Sequence, residues 1–555
     1  MERIWLNSYP SGVPADIDVN EYRSLVDVLE EATGKFTHNT AFISMGKKIT
    51  YKELDEKSLA FAAWLQSQGL KPGMRVGLMM PNILQYPIAL FGILRAGGTV
   101  VNFNPMYTTH EVEHQIKDSG CEIMVVVENF AYTLQKALPN TPSVKKVVVA
   151  SIGGLLGFKG TIVNFVLRHI KKMIPAWNIP GHERFNDVLK AGATLKFTPV
   201  TIGHDDHAFL QYTGGTTGVP KGAILTHRNM VANLMQAYAW VRSYTEDGKD
   251  LVVTALPLYH IFALTANCLT FMRLGAANLL IVNPRDIPGF VKELSQYKFT
   301  AFTGVNTLFN ALLNNEDFKK IDFSRLKLVL GGGMAVQKAI AEKWEAVTGG
   351  PLVQAYGLSE TSPAVTINPF DLKEFTGSIG LPISSTCVKI VDDDGKIQPI
   401  GEVGEILVLG PQVMKGYWNR QDETDKVFDT EGYLRTGDMG YMDEQGFIFL
   451  VDRKKDIIIV SGFNVYPNEV EDVVSRHPGI LEVAAVGVDN GAMGELVKLF
   501  VVRKDPALTE QEIIKFCREE LTNYKVPKQI EFVDELPKNN VGKILRRKLR
   551  DIQQA

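Results

Sequence analysis

Cysteines are few in this sequence, and their spacing gives no metal-binding or disulfide pattern. The 555 residues include four cysteines, none of them in a CxxC pair: Cys121, Cys268, Cys387 and Cys517. Such spacing argues against a disulfide framework and against a zinc site. We therefore expect a protein of a reducing compartment. The chain is also longer than one hydrophobic core usually organises, so at least two domains are expected.

Long apolar runs and a strong charge imbalance are also missing. No stretch of roughly eighteen uninterrupted apolar residues occurs, so no membrane-spanning helix is predicted. The first residues lack the apolar segment of a signal peptide, which favours a cytoplasmic location. Lys and Arg number 59, Asp and Glu 62, and the net charge is −3. Nucleic acid is therefore not an expected partner, and an anionic ligand must be bound by a local site.

Strand-like and helix-like segments alternate through most of the chain. Thr50 and Glu53 form a capping-box pattern that opens a helix. Strand patterns, with helical stretches between several of them, occur at residues 75–80, 123–127, 146–150, 251–256 and 278–282. This alternation predicts an α/β fold with layered, largely parallel sheets.

The pattern changes near residue 450. A strand-like segment is followed there by the charged cluster 452–456, and about a hundred residues remain, enough for a small α+β domain. We predict a large N-terminal domain at residues 1–452, a polar hinge at 453–455 and a small C-terminal domain at 456–555.

One stretch, residues 152–182, contains no acidic residue. Arg168, Lys171 and Lys172 are basic, and apolar residues between Ile162 and Ile174 recur at roughly helical spacing. A basic amphipathic helix can lie on an anionic membrane surface. A surface helix packed on its own domain is an equally good interpretation of the pattern.

The strongest local signal is a loop rich in glycine and threonine between a strand-like and a helix-like segment. Its residues are Tyr212, Thr213, Gly214, Gly215, Thr216, Thr217, Gly218, Val219, Pro220, Lys221, Gly222 and Ala223. Glycines let the backbone approach an anion closely, threonines supply donors, and Lys221 adds positive charge. The loop is not a Walker A motif, because Pro220 stands where a glycine should precede the lysine. It suits polyphosphate, although short glycine motifs are often plain surface loops.

Further motifs follow downstream. A glycine turn comes first, then an aromatic residue near a carboxylate, then two charged residues, in the order Gly331, Gly332, Gly333, Tyr356, Gly357, Ser359, Glu360, Asp438 and Arg453. Taken singly, these are a tight turn, an exposed aromatic and a solvated charge run. Their order after the first loop makes a common site the better interpretation.

The loop resembles the phosphate-binding signature of the adenylate-forming superfamily, which includes acyl-CoA synthetases, luciferases and peptide-synthetase adenylation domains. The resemblance implies that the glycine turn and Tyr356 sandwich adenine, with Gly357 and Ser359 beside them. It implies Asp438 and Arg453 on the ribose, and Glu360 with Thr216 on Mg2+. Lys221, Thr216 and Glu360 would then assist catalysis at the phosphates.

The resemblance continues through the C-terminal hundred residues. Lys455 corresponds to the hinge residue of the family, about which the small domain rotates. Gly462 lies in a loop that joins the site for the thioester step. Lys543, in the terminal signature, corresponds to the lysine that enters the adenylation site.

Similarity to the bacterial long-chain-fatty-acid–CoA ligases extends from Trp5 to Arg550. It implies a long-chain fatty acid, ATP, Mg2+ and CoA as ligands, and peripheral contact with the cytoplasmic face of the inner membrane. His260, Val305 and Gly332 would border the acyl pocket, although a lone histidine in an apolar setting is often only a core residue. The oligomeric state stays open, with a homodimer as one alternative.

Three other functions are alternatives to this one. They are a medium-chain acyl-CoA ligase, a ligase that delivers its acyl group to a carrier protein, and a non-catalytic lipid sensor that binds nucleotide. The intact set Lys221, Glu360, Asp438, Arg453 and Lys543 argues against lost catalysis. No Ser/His/Asp triad or paired-carboxylate signature is evident, which argues against hydrolase chemistry.

Overall fold

The structure is a computed structural model that describes residues 2–213, 220–460, 463–490, 495–539 and 541–551. Two segments of this part of the chain, Val166–Ile170 and Ala263–Leu269, are wound as π-helix. The α-helices are α1 (Leu25–Lys35), α2 (Tyr51–Ser67), α3 (Gln85–Arg95), α4 (Thr109–Ser119), α5 (Ala131–Ala137), α6 (Phe158–Phe165), α7 (Phe185–Gly192), α8 (His227–Val241), α9 (Thr270–Arg273), α10 (Ile287–Leu294), α11 (Asn306–Leu313), α12 (Lys338–Thr348), α13 (Gln421–Val427), α14 (Pro467–Ser475), α15 (Glu510–Glu520) and α16 (Arg546–Asp551).

The strands, numbered in chain order, are β1 (Thr40–Ser44), β2 (Lys47–Thr50), β3 (Arg75–Met79), β4 (Thr99–Asn102), β5 (Ile123–Val127), β6 (Lys146–Ala150), β7 (Glu183–Arg184), β8 (His207–Thr213), β9 (Lys221–Thr226), β10 (Leu251–Thr254), β11 (Ala277–Leu280), β12 (Ala301–Gly304), β13 (Leu328–Gly331), β14 (Val353–Gly357), β15 (Ala364–Ile367), β16 (Leu381–Pro382), β17 (Cys387–Val391), β18 (Gly404–Leu409), β19 (Leu434–Met442), β20 (Ile448–Arg453), β21 (Ile458–Val460), β22 (Phe463–Val465), β23 (Ile480–Asp489), β24 (Glu495–Arg503) and β25 (Gln529–Phe532).

Local sequence signals set several of these boundaries. The amide of Glu53 donates to the Thr50 hydroxyl (3.1 Å), and the Glu53 carboxylate accepts from the Thr50 amide (2.9 Å). This reciprocal pair satisfies two free amides at the start of α2, where the capping box predicted a helix. Strands β5 and β6 have the predicted bounds. Strand β10 is shorter than predicted and ends at Thr254. Ala255 and Leu256 are buried although strand pairing has ended, and their apolar character made the predicted strand too long.

Two large, mostly parallel sheets dominate the described part of the large domain. One has the order β7-β6-β5-β3-β4-β8-β9, and its last strand pairs antiparallel with β8. The other has the order β16-β15-β14-β13-β12-β10-β11-β1-β2. The motif that was predicted to bind phosphate includes the end of β8 and the start of β9. The carboxyl ends of β13 and β14 carry the glycine turn and Tyr356, so the second sheet presents these motifs at one edge.

A smaller antiparallel sheet, β17-β18-β19-β20, leads to the C-terminal part of the chain. Beyond it lie the hairpin β21-β22 and the sheet β23-β24-β25, flanked by α14, α15 and α16. Two hydrophobic clusters there are formed by residues between Ile458 and Leu549. The predicted fold class, a large α/β domain followed by a small α+β domain, is confirmed. The exact domain boundaries stay a prediction. Among the described helices, none is both long and apolar enough to span a bilayer.

Candidate active site

One cavity of about 1260 Å³ collects most of the predicted site residues. Its wall is built by the end of β8, the start of β9, the β13 and β14 edge, the β19-β20 hairpin and the segment around residue 543. The predicted site residues that line it are Tyr212, Thr213, Lys221, His260, Val305, Gly332, Gly333, Tyr356, Gly357, Ser359, Glu360, Asp438, Arg453, Lys455 and Lys543. Segments separated by more than 300 residues therefore meet at one place.

Other predicted residues lie elsewhere. Gly222 and Ala223 belong to β9, where they pair with β8, and Ala223 is fully buried. Pro220 directly precedes that strand. Gly331 ends β13, where an added Cβ would lie 2.6 Å from Val336 Cγ2. These four residues are not part of the cavity wall, and their geometry fits a role in supporting it. Six predicted residues lie outside the described residues: Gly214, Gly215, Thr216, Thr217, Gly218 and Gly462.

The β19-β20 hairpin places Asp438 directly opposite Arg453. Arg453 Nε lies 3.3 Å from Asp438 Oδ1, and the Tyr356 hydroxyl donates to Asp438 Oδ2 (2.6 Å). Burial and the adjacent Asp438 carboxylate hold the pKa of Tyr356 well above its usual value, so the phenol remains a donor. Both carboxylate oxygens of this buried aspartate are thus held at the cavity wall, one by a cation and one by a hydroxyl, and each oxygen has a further lone pair that can accept a hydrogen bond.

Gly357 allows the end of β14, which carries Tyr356, to pack closely against the loop that follows it. A Cβ at this position would overlap the carbonyl oxygen of Pro363. Only glycine therefore lets the backbone after Tyr356 pack against the following loop. That loop contains Glu360, so the tight contact brings the aromatic ring and the carboxylate of the same motif to one wall.

Lys221 and Glu360 are joined through a tyrosine that the sequence did not single out. The Tyr417 hydroxyl donates to Glu360 Oε1 (2.8 Å), and Lys221 Nζ lies 4.4 Å from the centre of the Tyr417 ring. Lys221 Nζ also donates to Glu423 Oε2 (2.8 Å). These contacts hold the ammonium and the carboxylate on neighbouring parts of the wall, where a cation–π contact adds to the ion pair.

A tight loop directs Lys543 into the cavity. The Asn539 amide donates to the Lys543 carbonyl (2.8 Å), and the Lys543 amide donates to Asn539 Oδ1 (2.9 Å). Burial, with the nearby Arg453 guanidinium, lowers the pKa of the Lys543 ammonium to about 8. Burial, with the Lys543 charge, lowers the pKa of His260 to about 4. His260 is therefore a neutral imidazole near pH 7, which suits a residue beside an apolar ligand.

Sequence reasoning missed residues that hold the predicted ones in place. Tyr417 and Glu423 contact Lys221, and Asp118 accepts from the Tyr212 hydroxyl (2.6 Å). Asp118 and Glu423 lie 94 and 202 residues from their partners. No local pattern predicts pairs at such separations. The only signal was the aromatic pair Tyr417-Trp418, which stands just before the acidic start of α13.

Family models match both parts of the chain. Residues 29–418 match the model described as "AMP-binding enzyme", and residues 469–543 match "AMP-binding enzyme C-terminal domain". The first match alone covers well over half of the chain. It includes the glycine-threonine loop, the β13-β14 edge and Glu360, while the second includes Lys543.

Curated relatives are similar over almost their full length. A long-chain-fatty-acid–CoA ligase of Salmonella typhimurium is 58% identical over 553 residues, covering 99% of this chain and 98% of the relative. The enzyme of the same name from Escherichia coli O6:H1 is 57% identical with the same coverage. The one from Bacillus subtilis is 39% identical over 552 residues, again with 99% and 98% covered.

Solved structures of more distant enzymes share the fold. The anthranilate CoA ligase AuaEII, in complex with anthranoyl-AMP, has a TM-score of 0.84 at 26% identity, with 97% of this chain and 99% of that chain covered. ATP-bound MatB from Rhodopseudomonas palustris has a TM-score of 0.83 at 28% identity, with 95% and 99% covered. The chain belongs to the AMP-binding enzyme family and, within it, to the long-chain-fatty-acid–CoA ligases.

Proposed function

We propose that this protein activates long-chain fatty acids in two steps, first as the acyl-adenylate and then as the acyl-CoA thioester. The observation that carries the proposal is the convergence of Lys221, Tyr356, Asp438 and Lys543 on one cavity. The names of the relatives that match the full chain support the choice of acid and of CoA.

In the first step, a carboxylate oxygen of the fatty acid attacks the α-phosphorus of ATP, and diphosphate leaves. Both reactants are anions, so the barrier falls when fixed positive charge lies between them. Lys543 is proposed to supply that charge at the α-phosphate, and Lys221 to supply it at the β- and γ-phosphates. Tyr356 would stack on adenine, while Asp438 and Arg453 would hold the ribose. No protein nucleophile is needed.

Mg2+ is proposed to accompany the nucleotide. Within the described residues, no group of three or more His, Cys, Asp or Glu side chains could hold a metal ion. Glu360 nevertheless presents a carboxylate on the cavity wall, and a hard cation prefers such oxygen ligands. Glu360 and the Thr216 hydroxyl would hold the ion together with phosphate oxygens. The bound ion would neutralise phosphate charge.

In the second step, the thiol of CoA attacks the carbonyl carbon of the acyl-adenylate and loses its proton. The bond between that carbon and the phosphate oxygen breaks, and AMP leaves with the bonding electron pair. Lys543 occupies the cavity in this structure, so we propose that the small domain rotates about Lys455 to withdraw it. Lys455 lies in the turn between β20 and β21. The loop containing Gly462 would then take part in the thioester step. Such a rotation is a domain-closure mechanism.

The acyl chain is proposed to occupy the apolar part of the cavity. Its wall there includes apolar side chains from α8, α9, β12, the end of β15 and the start of the second π-helical segment, namely Ala237, Val241, Phe262, Phe271, Phe302, Ile367 and Phe370. Each buried methylene contributes about 0.8 kcal/mol, so the binding affinity should rise with the length of the acyl chain until the chain reaches the end of the apolar wall. Leu264 and Phe309, two apolar residues near the predicted pocket, are fully buried in the hydrophobic core and are not part of this wall.

The test is a coupled assay with purified protein, ATP, Mg2+, CoA and fatty acids of increasing length. The proposal predicts equal amounts of acyl-CoA, AMP and diphosphate, with the highest kcat/KM for long chains. A peak at medium chains would support the medium-chain alternative. Acyl-adenylate that forms but never reacts with free CoA would instead favour transfer to a carrier protein.

The pKa of Lys543 predicts a pH dependence. The charged ammonium is the form that assists catalysis, and its pKa in the free enzyme is about 8. The kcat/KM for adenylation should therefore be highest below pH 8 and should fall as pH rises through that value. Lys543→Arg keeps its charge throughout this range, so whatever activity it retains should not show the decline. The same decline in the arginine variant would assign the pKa to another group.

We also propose that α6 and the π-helical segment after it lie on the anionic surface of a membrane. Four large apolar side chains of this segment, and a fifth just after it, are exposed: Phe158, Ile162, Phe165, Ile170 and Met173. No acidic residue occurs between 152 and 182, and Lys171 and Lys172 are exposed beside the apolar side chains. Apolar surface flanked by cations fits an anionic lipid interface.

Charge reversal at Lys171 and Lys172 is predicted to weaken binding to anionic vesicles about tenfold or more, since each surface cation contributes about 1 kcal/mol. Arg168 should be left unchanged, because it pairs with the buried Glu128 carboxylate at 2.6 Å and so supports the fold. The matched control reverses Lys319 and Lys320, two exposed lysines of a distant turn. Sedimentation with phosphatidylglycerol vesicles measures the effect, and equal binding by both variants would contradict it.

A further inference from the structure

Helix α11 presents one polar face to the small domain. Thr307 and Asn310 in the helix and Asn314 directly after it stand at positions i, i+3 and i+7, so they lie on the same side of the helix axis. The opposite side carries Phe309 and Leu312, both fully buried. The helix is therefore fixed to the large domain along one side and free to contact the small domain along the other.

Each polar residue of this face reaches a different segment of the small domain. The Thr307 hydroxyl donates to the Gly542 carbonyl (3.0 Å), and Asn310 Nδ2 donates to the Leu481 carbonyl (3.0 Å). Lys504 Nζ donates to Asn314 Oδ1 (3.4 Å). The first contact is one residue away from Lys543, and the second is at the start of β23. Together they fix both the position and the orientation of the small domain.

The contact at Thr307 is close as well as polar. Gly542 has a φ of +89°, and a Cβ added there would lie 2.7 Å from Thr307 Oγ1 and 3.2 Å from Val305 Cγ2. A side chain at residue 542 would push the loop away from α11. Glycine thus lets the Lys543 loop lie directly against the helix. The hydrogen bond from the Thr307 hydroxyl fixes the distance between the loop backbone and the helix.

The base of this face is rigid. Asn306 Nδ2 donates to Gln337 Oε1 (3.1 Å), and the Gln337 amide donates to Asn306 Oδ1 (3.0 Å). The Phe309 ring packs edge-on against Trp344, with ring centres 4.9 Å apart. Because these contacts tie α11 to α12 and to the core, a residue held by Thr307 is held relative to the whole cavity.

We infer that Thr307 and Asn310 are positioning residues for adenylation, which hold the small domain in the orientation that places Lys543 in the cavity. The inference rests on the proposed two-step function. During the thioester step the small domain leaves this orientation, so the same two hydrogen bonds are absent. Their loss should therefore slow the first step and leave the second step unaffected.

The test measures both half-reactions for Thr307→Val combined with Asn310→Ala. Adenylation, followed as fatty-acid-dependent exchange of diphosphate into ATP, should fall about tenfold, an effect that two hydrogen bonds can supply. Thioester formation from added acyl-adenylate and CoA should stay within about twofold of the wild type. Thr307→Ser keeps the hydroxyl and should adenylate like the wild type. Glu316→Ala, an exposed change just beyond α11, is the control.

Three outcomes would overturn the inference: an equal fall in both half-reactions, unchanged adenylation in the double variant, or a Thr307→Ser variant as slow as Thr307→Val. Asn310→Ala alone serves if the double variant unfolds at a lower temperature than the wild type, since Asn310 is only partly buried. Failure of the proposed function would look different, because the wild type itself would then form no acyl-adenylate or no acyl-CoA.

Discussion

Replacing Lys543 by alanine is expected to lower the rate of acyl-adenylate formation by about 100- to 1000-fold, the usual effect of removing a preorganised charge from a reacting phosphate or oxyanion. Lys543 lies on the cavity wall with Arg453 and Asp438, and its loop is fixed by Asn539. The fatty carboxylate and the α-phosphate would then approach each other without a cation between them. Formation of acyl-CoA from supplied acyl-adenylate should remain near the wild-type rate, since the proposed rotation withdraws Lys543 in that step.

Lys538→Ala is the matched control for this variant. Lys538 belongs to the same terminal segment, but its ammonium pairs with Glu482 at 2.6 Å and it is not part of the cavity wall. Rapid-quench measurements of each half-reaction with both variants separate a local charge effect from a general disturbance of the segment. If Lys543→Ala slowed both half-reactions equally, the two-orientation mechanism would have to be replaced.

Proline at position 455 is expected to have the opposite effect. The turn at Lys455 is held by amides on either side of it, since Lys454 donates to the Gly437 carbonyl (3.0 Å) and Asp456 to the Arg453 carbonyl (2.9 Å). Proline fixes φ near −65° and restricts the preceding residue, so the backbone could no longer rotate there. A proline in an incompatible backbone conformation costs on the order of 3 kcal/mol. If the activation barrier of the thioester step rises by that amount, the step slows roughly a hundredfold.

Lys455→Ala distinguishes the backbone from the side chain. It removes the ammonium and leaves φ and ψ free, so it should form acyl-CoA at a rate close to that of the wild type. Adenylation by Lys455→Pro provides the internal check, because that step uses the orientation seen here. A proline variant that makes acyl-CoA normally would place the rotation at another residue.

The elements that the sequence predicts well are those set by local physics. Short apolar runs and capping patterns act over a few residues, which is why β5, β6 and the start of α2 are found where the patterns put them. Strand ends are less predictable. Burial continues past the last ladder hydrogen bond in β3 and β10, and a hydrophobic pattern reports burial rather than pairing.

For the candidate site, the residues that would touch the ligand were largely predictable, whereas those that hold them were not. Tyr356, Asp438 and Lys543 belong to recognisable motifs, and all three line the cavity. Tyr417 and Thr307 act through contacts 57 and 235 residues away in sequence. Such pairs depend on the tertiary fold, so no local pattern in one sequence identifies both partners.

A cluster of opposite charges connects α16 to the turn at Lys455. Arg546 donates to Glu471 (2.8 Å) and to Asn468 (2.6 Å), and Arg550 donates to Asp456 (2.6 Å), immediately after the turn. Burial raises the pKa of Asp452 to about 6, and the adjacent Arg546 charge opposes that rise. The peptide that carries Lys543 is thus fastened at its far end to the residues that begin the small domain. In the proposed rotation about Lys455, this peptide would move together with the small domain, and a modest change of angle at the turn would displace the Lys543 ammonium in proportion to its distance from Lys455.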